Sequence, residues 1–127
     1  MIYDPLQVGL DLLRSEIANV PVTADLVGHK TGNPRLVVSL VGITVAFKHR
    51  LDRVSFDIDA YGPNRNAALM LAMRARHVLL QVGPKSSFNG VAISDAEENL
   101  GPQDLADGVS REYRFVFSVS LYMFLRS

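Results

Sequence analysis

Asp52, Asp57 and Asp59 form a tight cluster of carboxylates, the residue type that general acid/base chemistry uses in pairs. In a strand, successive side chains alternate between two faces, so Asp57 and Asp59 share one face and lie close enough to perturb each other's titration. A working acid/base pair needs environments that push the two pKa values apart. Here the same face also carries Arg53, Ser55 and Tyr61, the pattern of a solvated polar surface. An enzyme built on Asp57 and Asp59 would require a concave pocket around them, whereas a flat face excludes it.

The remaining constellations are weaker. Gly28-His29-Lys30-Thr31 has the lysine and threonine of a phosphate-binding loop, but that loop needs a glycine directly before the lysine and another farther upstream. Here His29 occupies the place directly before the lysine, so an ordinary surface loop is expected. His29, His49 and His77 show no ligand-like spacing, and no Gly-x-Ser-x-Gly elbow marks a nucleophilic serine. No catalytic residue, metal or cofactor is therefore expected. Lys48, His49, Arg50 and Arg53 make one basic patch, and Arg74, Arg76 and His77 another; each reads as a solvated face or as a contact for an acidic partner surface.

The elements that hold these residues follow from periodicity. Asp4-Pro5 is a helix-start signal, and Leu6, Leu10, Leu13 and Ile17 continue it as an apolar stripe that should end near Asn19, ahead of Pro21. Val20 to Val27 is expected as a short edge strand. The turn formers from Gly28 to Pro34 are expected as a loop, followed by a strand from Arg35 to Gly42. Val45 and Phe47 suggest that this strand runs on to a hairpin tip at Lys48-His49-Arg50. From Asp52 a strict alternation sets Val54, Phe56, Ile58 and Ala60 against the polar face.

Beyond Gly62-Pro63, Ala68, Leu71, Ala72, Ala75, Leu79 and Val82 recur at helical spacing until Gly83-Pro84. Lys85 to Gly90 reads as a loop, Val91 to Ala96 as a strand, Glu97 to Gly108 as a polar loop, and Arg111 to Leu125 as a long final strand. Its polar face turns apolar at Tyr122 and Phe124, which should be covered either by the first helix or by an adjacent subunit. The fold class expected is one α+β domain over residues 1–127, with two main helices on one face of a mostly antiparallel sheet, in the order α-β-β-β-α-β-β.

A chain of 127 residues is long enough to bury one core without a disulfide or metal, and it has no cysteine. Thirteen basic residues balance thirteen acidic ones, so bulk charge offers nothing to hold nucleic acid or an anionic membrane. A base-stacking nucleic-acid module would need an exposed aromatic set, which is not evident. Met1-Ile2-Tyr3-Asp4-Pro5 lacks a basic stretch followed by an apolar run, so no secretory signal is expected. The apolar stretches Leu36 to Phe47 and Phe115 to Leu125 are too short and too interrupted to cross a bilayer as helices.

These features together suggest a family. An opening amphipathic helix, Val20-Pro21-Val22, the loop before Pro34, the strand Arg53-Val54-Ser55-Phe56-Asp57-Ile58-Asp59-Ala60-Tyr61-Gly62, an alanine-rich helix, and the closing Tyr113-Arg114-Phe115-Val116-Phe117-Ser118-Val119-Ser120 follow one another over nearly the whole chain. The arrangement resembles the tail terminator proteins of long-tailed bacteriophages; neck and head–tail joining proteins of similar size share its outline. The resemblance implies a homo-oligomeric ring, usually a hexamer, in the neck of the virion and assembled in the host cytoplasm. Such a ring caps the head-proximal end of the tail tube, stops its polymerisation and meets the head connector or a neck protein. DNA passes through it without specific binding, and no membrane is involved. The family supplies no catalytic residues. Chemistry suggests that Asp57 and Asp59 line the lumen or a subunit boundary, and that Phe47, Lys48, Arg50, Tyr122 and Phe124 contact other subunits or the tube.

Overall fold

A computed structural model describes residues 2–48, 50–106 and 112–126. Helix α1 spans Pro5–Glu16, capped by the Asp4 carboxylate, which accepts the Leu6 and Gln7 backbone N–H groups. It stops before the expected Asn19. Ile17 leaves the helix in an extended conformation and still buries its side chain, and Asn19 takes a left-handed φ that asparagine tolerates well.

Strand β1 is only Val22–Thr23, shorter than the expected Val20 to Val27. Local polar chemistry ends it. The Thr23 hydroxyl donates to the Asp25 carbonyl, the Asp25 carboxylate accepts the Val27 N–H, and Arg35 takes the Asp25 and Val27 carbonyls. Strands β2 (Arg35–Phe47) and β3 (Leu51–Gly62) then form a long antiparallel hairpin closed by an Arg50 N–H to Phe47 carbonyl bond. His49, at its tip, lies outside the described residues.

Helix α2 (Arg65–His77) is capped by the Asn64 side chain, which accepts the Ala67 N–H, and continues as one π-helical turn, Val78–Val82, up to Gly83. Gly62 is where β3 passes beneath its first turn. A Cβ there would sit 2.7 Å from the Ala68 nitrogen, so the aromatic-glycine ending of β3 is a condition of helix-on-sheet packing. Three strands follow: β4 (Ser87–Phe88), β5 (Val91–Asp104) and β6 (Tyr113–Leu125).

The expected order and fold class need correction. The chain is dominated by strand, 47% against 25% helix, in one curled six-stranded sheet, and three strands rather than two follow α2. Two local causes account for this. Asn89 and Gly90 both take positive φ, the hairpin turn that pairs β4 with the start of β5 where a loop was expected. The polar segment from Glu97, also expected as a loop, extends β5 to Asp104 because its backbone pairs with β6, while bulges absorb Gly101-Pro102. The end of that expected loop, at Asp107 and Gly108, and the expected strand start at Arg111 lie outside the described residues.

The sheet order is β1-β2-β3-β6-β5-β4, with β1 parallel to β2 and the other pairs antiparallel. Val54, Phe56, Ile58 and Ala60 of β3 and Phe115, Phe117, Val119, Leu121 and Met123 of β6 join Leu12, Leu13, Ala68, Leu71, Ala72 and Ala75 of the helices in one core cluster. Burial of this apolar set is the main favourable term holding the chain together.

Candidate functional site

Odd-numbered residues of β3 and even-numbered residues of β6 make the sheet face turned away from the helices. Across it Arg53 stands opposite Tyr122, Ser55 opposite Ser120, Asp57 opposite Ser118 and Asp59 opposite Val116. The Ser118 hydroxyl donates to Asp57, Arg114 Nη1 donates to Asp59 at 3.4 Å, and Ser55 and Ser120 share a 2.8 Å hydrogen bond that Asn99 joins from β5. Arg53 Nε donates to Glu97 at 2.8 Å, and the Tyr122 hydroxyl donates to the same carboxylate oxygen at 2.9 Å. Arg53 Nη2 also donates to Asn99 at 3.0 Å, so Arg53, Glu97, Tyr122, Asn99, Ser120 and Ser55 form one polar network across β3, β6 and β5, with the Asp57–Ser118 and Asp59–Arg114 pairs beside it on the same face.

Its electrostatics follow from these contacts. Burial raises the Asp59 pKa, and the neighbouring Asp57 charge adds to this, against the pull of Arg114. Glu97 is held below the usual carboxylate range by hydrogen bonds from Arg53 and Tyr122. Asp57 and Asp59 thus meet serine and arginine partners on a sheet face, and two cavities among the described residues, of about 410 and 470 Å³, are lined by other residues. Such a face can repel phosphates or meet a protein surface. Among the described residues, no three His, Asp or Glu side chains gather as a metal site.

Asp52 does not belong with Asp57 and Asp59. Its even number puts it on the helix side, where it accepts the Tyr3 hydroxyl at 2.6 Å. Burial, then this bond and the Asp52 charge, raise the Tyr3 pKa. The Gly28–Thr31 loop is pinned rather than open: His29 meets Glu112 at 2.6 Å and tilts against the Tyr61 ring at 5.2 Å, and Gly32 donates its N–H to the same carboxylate. The basic patch on α2 is partly neutralised, because Arg76 pairs with Glu98 of β5.

Phe47, Lys48 and Arg50 stand exposed at the hairpin tip, Phe47 by 62%. Tyr122 and Phe124 are half-buried. Leu121 and Met123 point into the core with α1, so Tyr122 and Phe124 are turned away from that helix, and the first of the two expected covers is excluded. The sequence reading missed the exposed apolar arm of β2: Leu40, Val41, Ile43 and Val45 lead up to Phe47, with Val45 67% exposed. The signal was present in the run Leu36 to Phe47, which lacks the alternation of a strand with one wet face.

Comparison with protein-family models and with curated proteins finds no match to the chain.

Proposed function

We propose that this chain is a structural virion protein, a tail terminator whose copies form a ring, usually hexameric in the family it resembles, on the head-proximal end of a phage tail tube. The observation that carries the reading is the β2 arm, where five large apolar residues within eight positions, Leu40, Val41, Ile43, Val45 and Phe47, remain exposed on a domain that already has a complete core. Contiguous apolar surface on a finished fold marks a place where another protein sits. The exposed Lys48 and Arg50 beside Phe47 extend that contact with charge.

In this reading the network face carrying Asp57 and Asp59 lines the lumen or a subunit boundary, where fixed acidic groups repel phosphates and let DNA slide. Tyr122 and Phe124 lie on the same face and contact a neighbouring subunit. The ring stops tube polymerisation and offers its other end to the head connector or a neck protein. Adding purified protein to polymerising tail-tube subunits tests this: tubes of arrested growth carrying the protein at one end support the reading, and unaltered growth with no bound protein overturns it.

A further inference from the structure

The sheet is unfinished at both sides, and the two gaps match. Among the described residues, β1 covers the outer edge of β2 only at Leu36 and Val37, and β4 covers that of β5 only at Val91 and Ala92. Backbone N–H and C=O groups along an open edge are a template for another strand, and folded proteins ordinarily guard such edges with lysine, proline or a short strand. The open part of β2 is interrupted only by bulges at Leu40/Gly42 and Val45/Phe47. Ser39 to Phe47 contains no charged residue and no proline.

Following the pairings across the sheet shows that the gaps lie at the same height. Val45 shares a row with Asp52, Met123 and Ile93; Ile43 with Val54, Leu121 and Ala96; Ser39 with Asp57, Ser118 and Leu100. Because three antiparallel steps separate them, β2 and β5 run in opposite directions. A copy moved sideways along the sheet, without being turned over, therefore sets its β2 beside the β5 of its neighbour in antiparallel orientation. At equal height Val45 meets Ile93, Ile43 meets Ala96 and Thr44 meets Asp95.

Charge favours this pairing of unlike edges. The open stretch of β5 carries Asp95 together with Glu97 and Glu98, which pair with Arg53 and Arg76 inside the subunit, so pairing two β5 edges would set acids against acids, whereas the open stretch of β2 is uncharged. We propose that the β2 edge of one copy pairs with the β5 edge of the next, through Ser39–Val45 and Ile93–Leu100, so that the sheet runs continuously from subunit to subunit. The contact is heterologous, it covers Ile43 and Val45, and a constant rotation between copies closes it into a ring. This rests on the ring-forming function proposed above and specifies the subunit contact that builds it.

The chain has no cysteine, which makes disulfide trapping unambiguous. Thr44 and Asp95 are both exposed, so Thr44→Cys and Asp95→Cys leave the core untouched. Mixing the two single variants under mild oxidation, alone and with tube subunits, should give a reducible cross-linked dimer that neither gives by itself. The double variant should give a ladder of covalent oligomers. Ile43→Lys with Val45→Lys should abolish the ladder in that background while leaving the circular dichroism of the monomer unchanged. Rings seen by negative stain without cross-linking in the mixture would overturn the strand pairing and leave the ring reading standing. Thr44→Cys linking efficiently to itself would replace it with a symmetric β2–β2 contact. Absence of both rings and cross-links, with tube subunits present, would overturn the two readings together.

Discussion

The His29 ring and the Glu112 carboxylate lie 2.6 Å apart with side chains only 7% and 4% exposed, joining the loop after β1 to the residue just before β6. Gly32 donates a backbone N–H to the same oxygen, so a buried carboxylate organises a loop whose sequence has no regular periodicity. His29→Ala removes a donor from that carboxylate and should cost about 1–3 kcal/mol. Urea unfolding of the two proteins measures it. A change below about 0.5 kcal/mol, ordinary for a surface substitution, would show that the pair does not hold the loop.

Asp59 gives a pH dependence of unusual sign. Its folded pKa is raised, so the folded state takes up the proton more readily than the unfolded chain. The favourable contribution is present below the unfolded carboxylate pKa and is lost as pH rises through the folded value. Asp59→Asn should therefore be neutral or stabilising at pH 7 relative to the parent, with the advantage shrinking toward pH 3. Urea midpoints at both pH values check this; a variant destabilised at pH 7 and equal to the parent at pH 3 would reverse the sign.

The lumen role of the acidic face is tested in the phage. Asp57→Asn together with Asp59→Asn removes the charge while keeping the side-chain shape. Slower or incomplete DNA ejection is expected, with normal tail length. Unchanged infectivity and ejection kinetics would remove these residues from the lumen.

Gly62 tests the packing of α2 on β3. A Cβ at this position meets the backbone of α2 at 2.7 Å, and neither strand nor helix can give way cheaply. Gly62→Ala should cost about 1–3 kcal/mol by overpacking. A midpoint in urea equal to the parent's would mean that the helix start moves freely.

Much of this arrangement was legible because it is local. Asp4 announced α1 by cap chemistry, the apolar repeat beyond Gly62-Pro63 announced α2, and the alternation of β3 and β6 fixed which side chains enter the core. What escaped was set by pairing between distant segments. Glu97 to Asp104 is polar and holds Gly101-Pro102, so nothing in its own composition marks it as strand; β6 and three arginines, Arg53, Arg76 and Arg65, hold it there. Asn89-Gly90 did carry a hairpin signal, but only two residues flank it on the β4 side. Asp52 is near Asp57 and Asp59 in sequence, but its parity along β3 places it on the other face. The edge strand at Val22–Thr23 was expected, but its shortness, and with it the open edge of β2, depends on long-range pairing, as does the open edge of β5.

Ring formation is the claim on which the functional account stands, and negative-stain microscopy of the purified protein, with and without tail-tube subunits, tests it most directly. Closed rings, free or seated on one end of the tube, are the expected result. Dispersed single copies in both preparations, with bare tube ends, would contradict it.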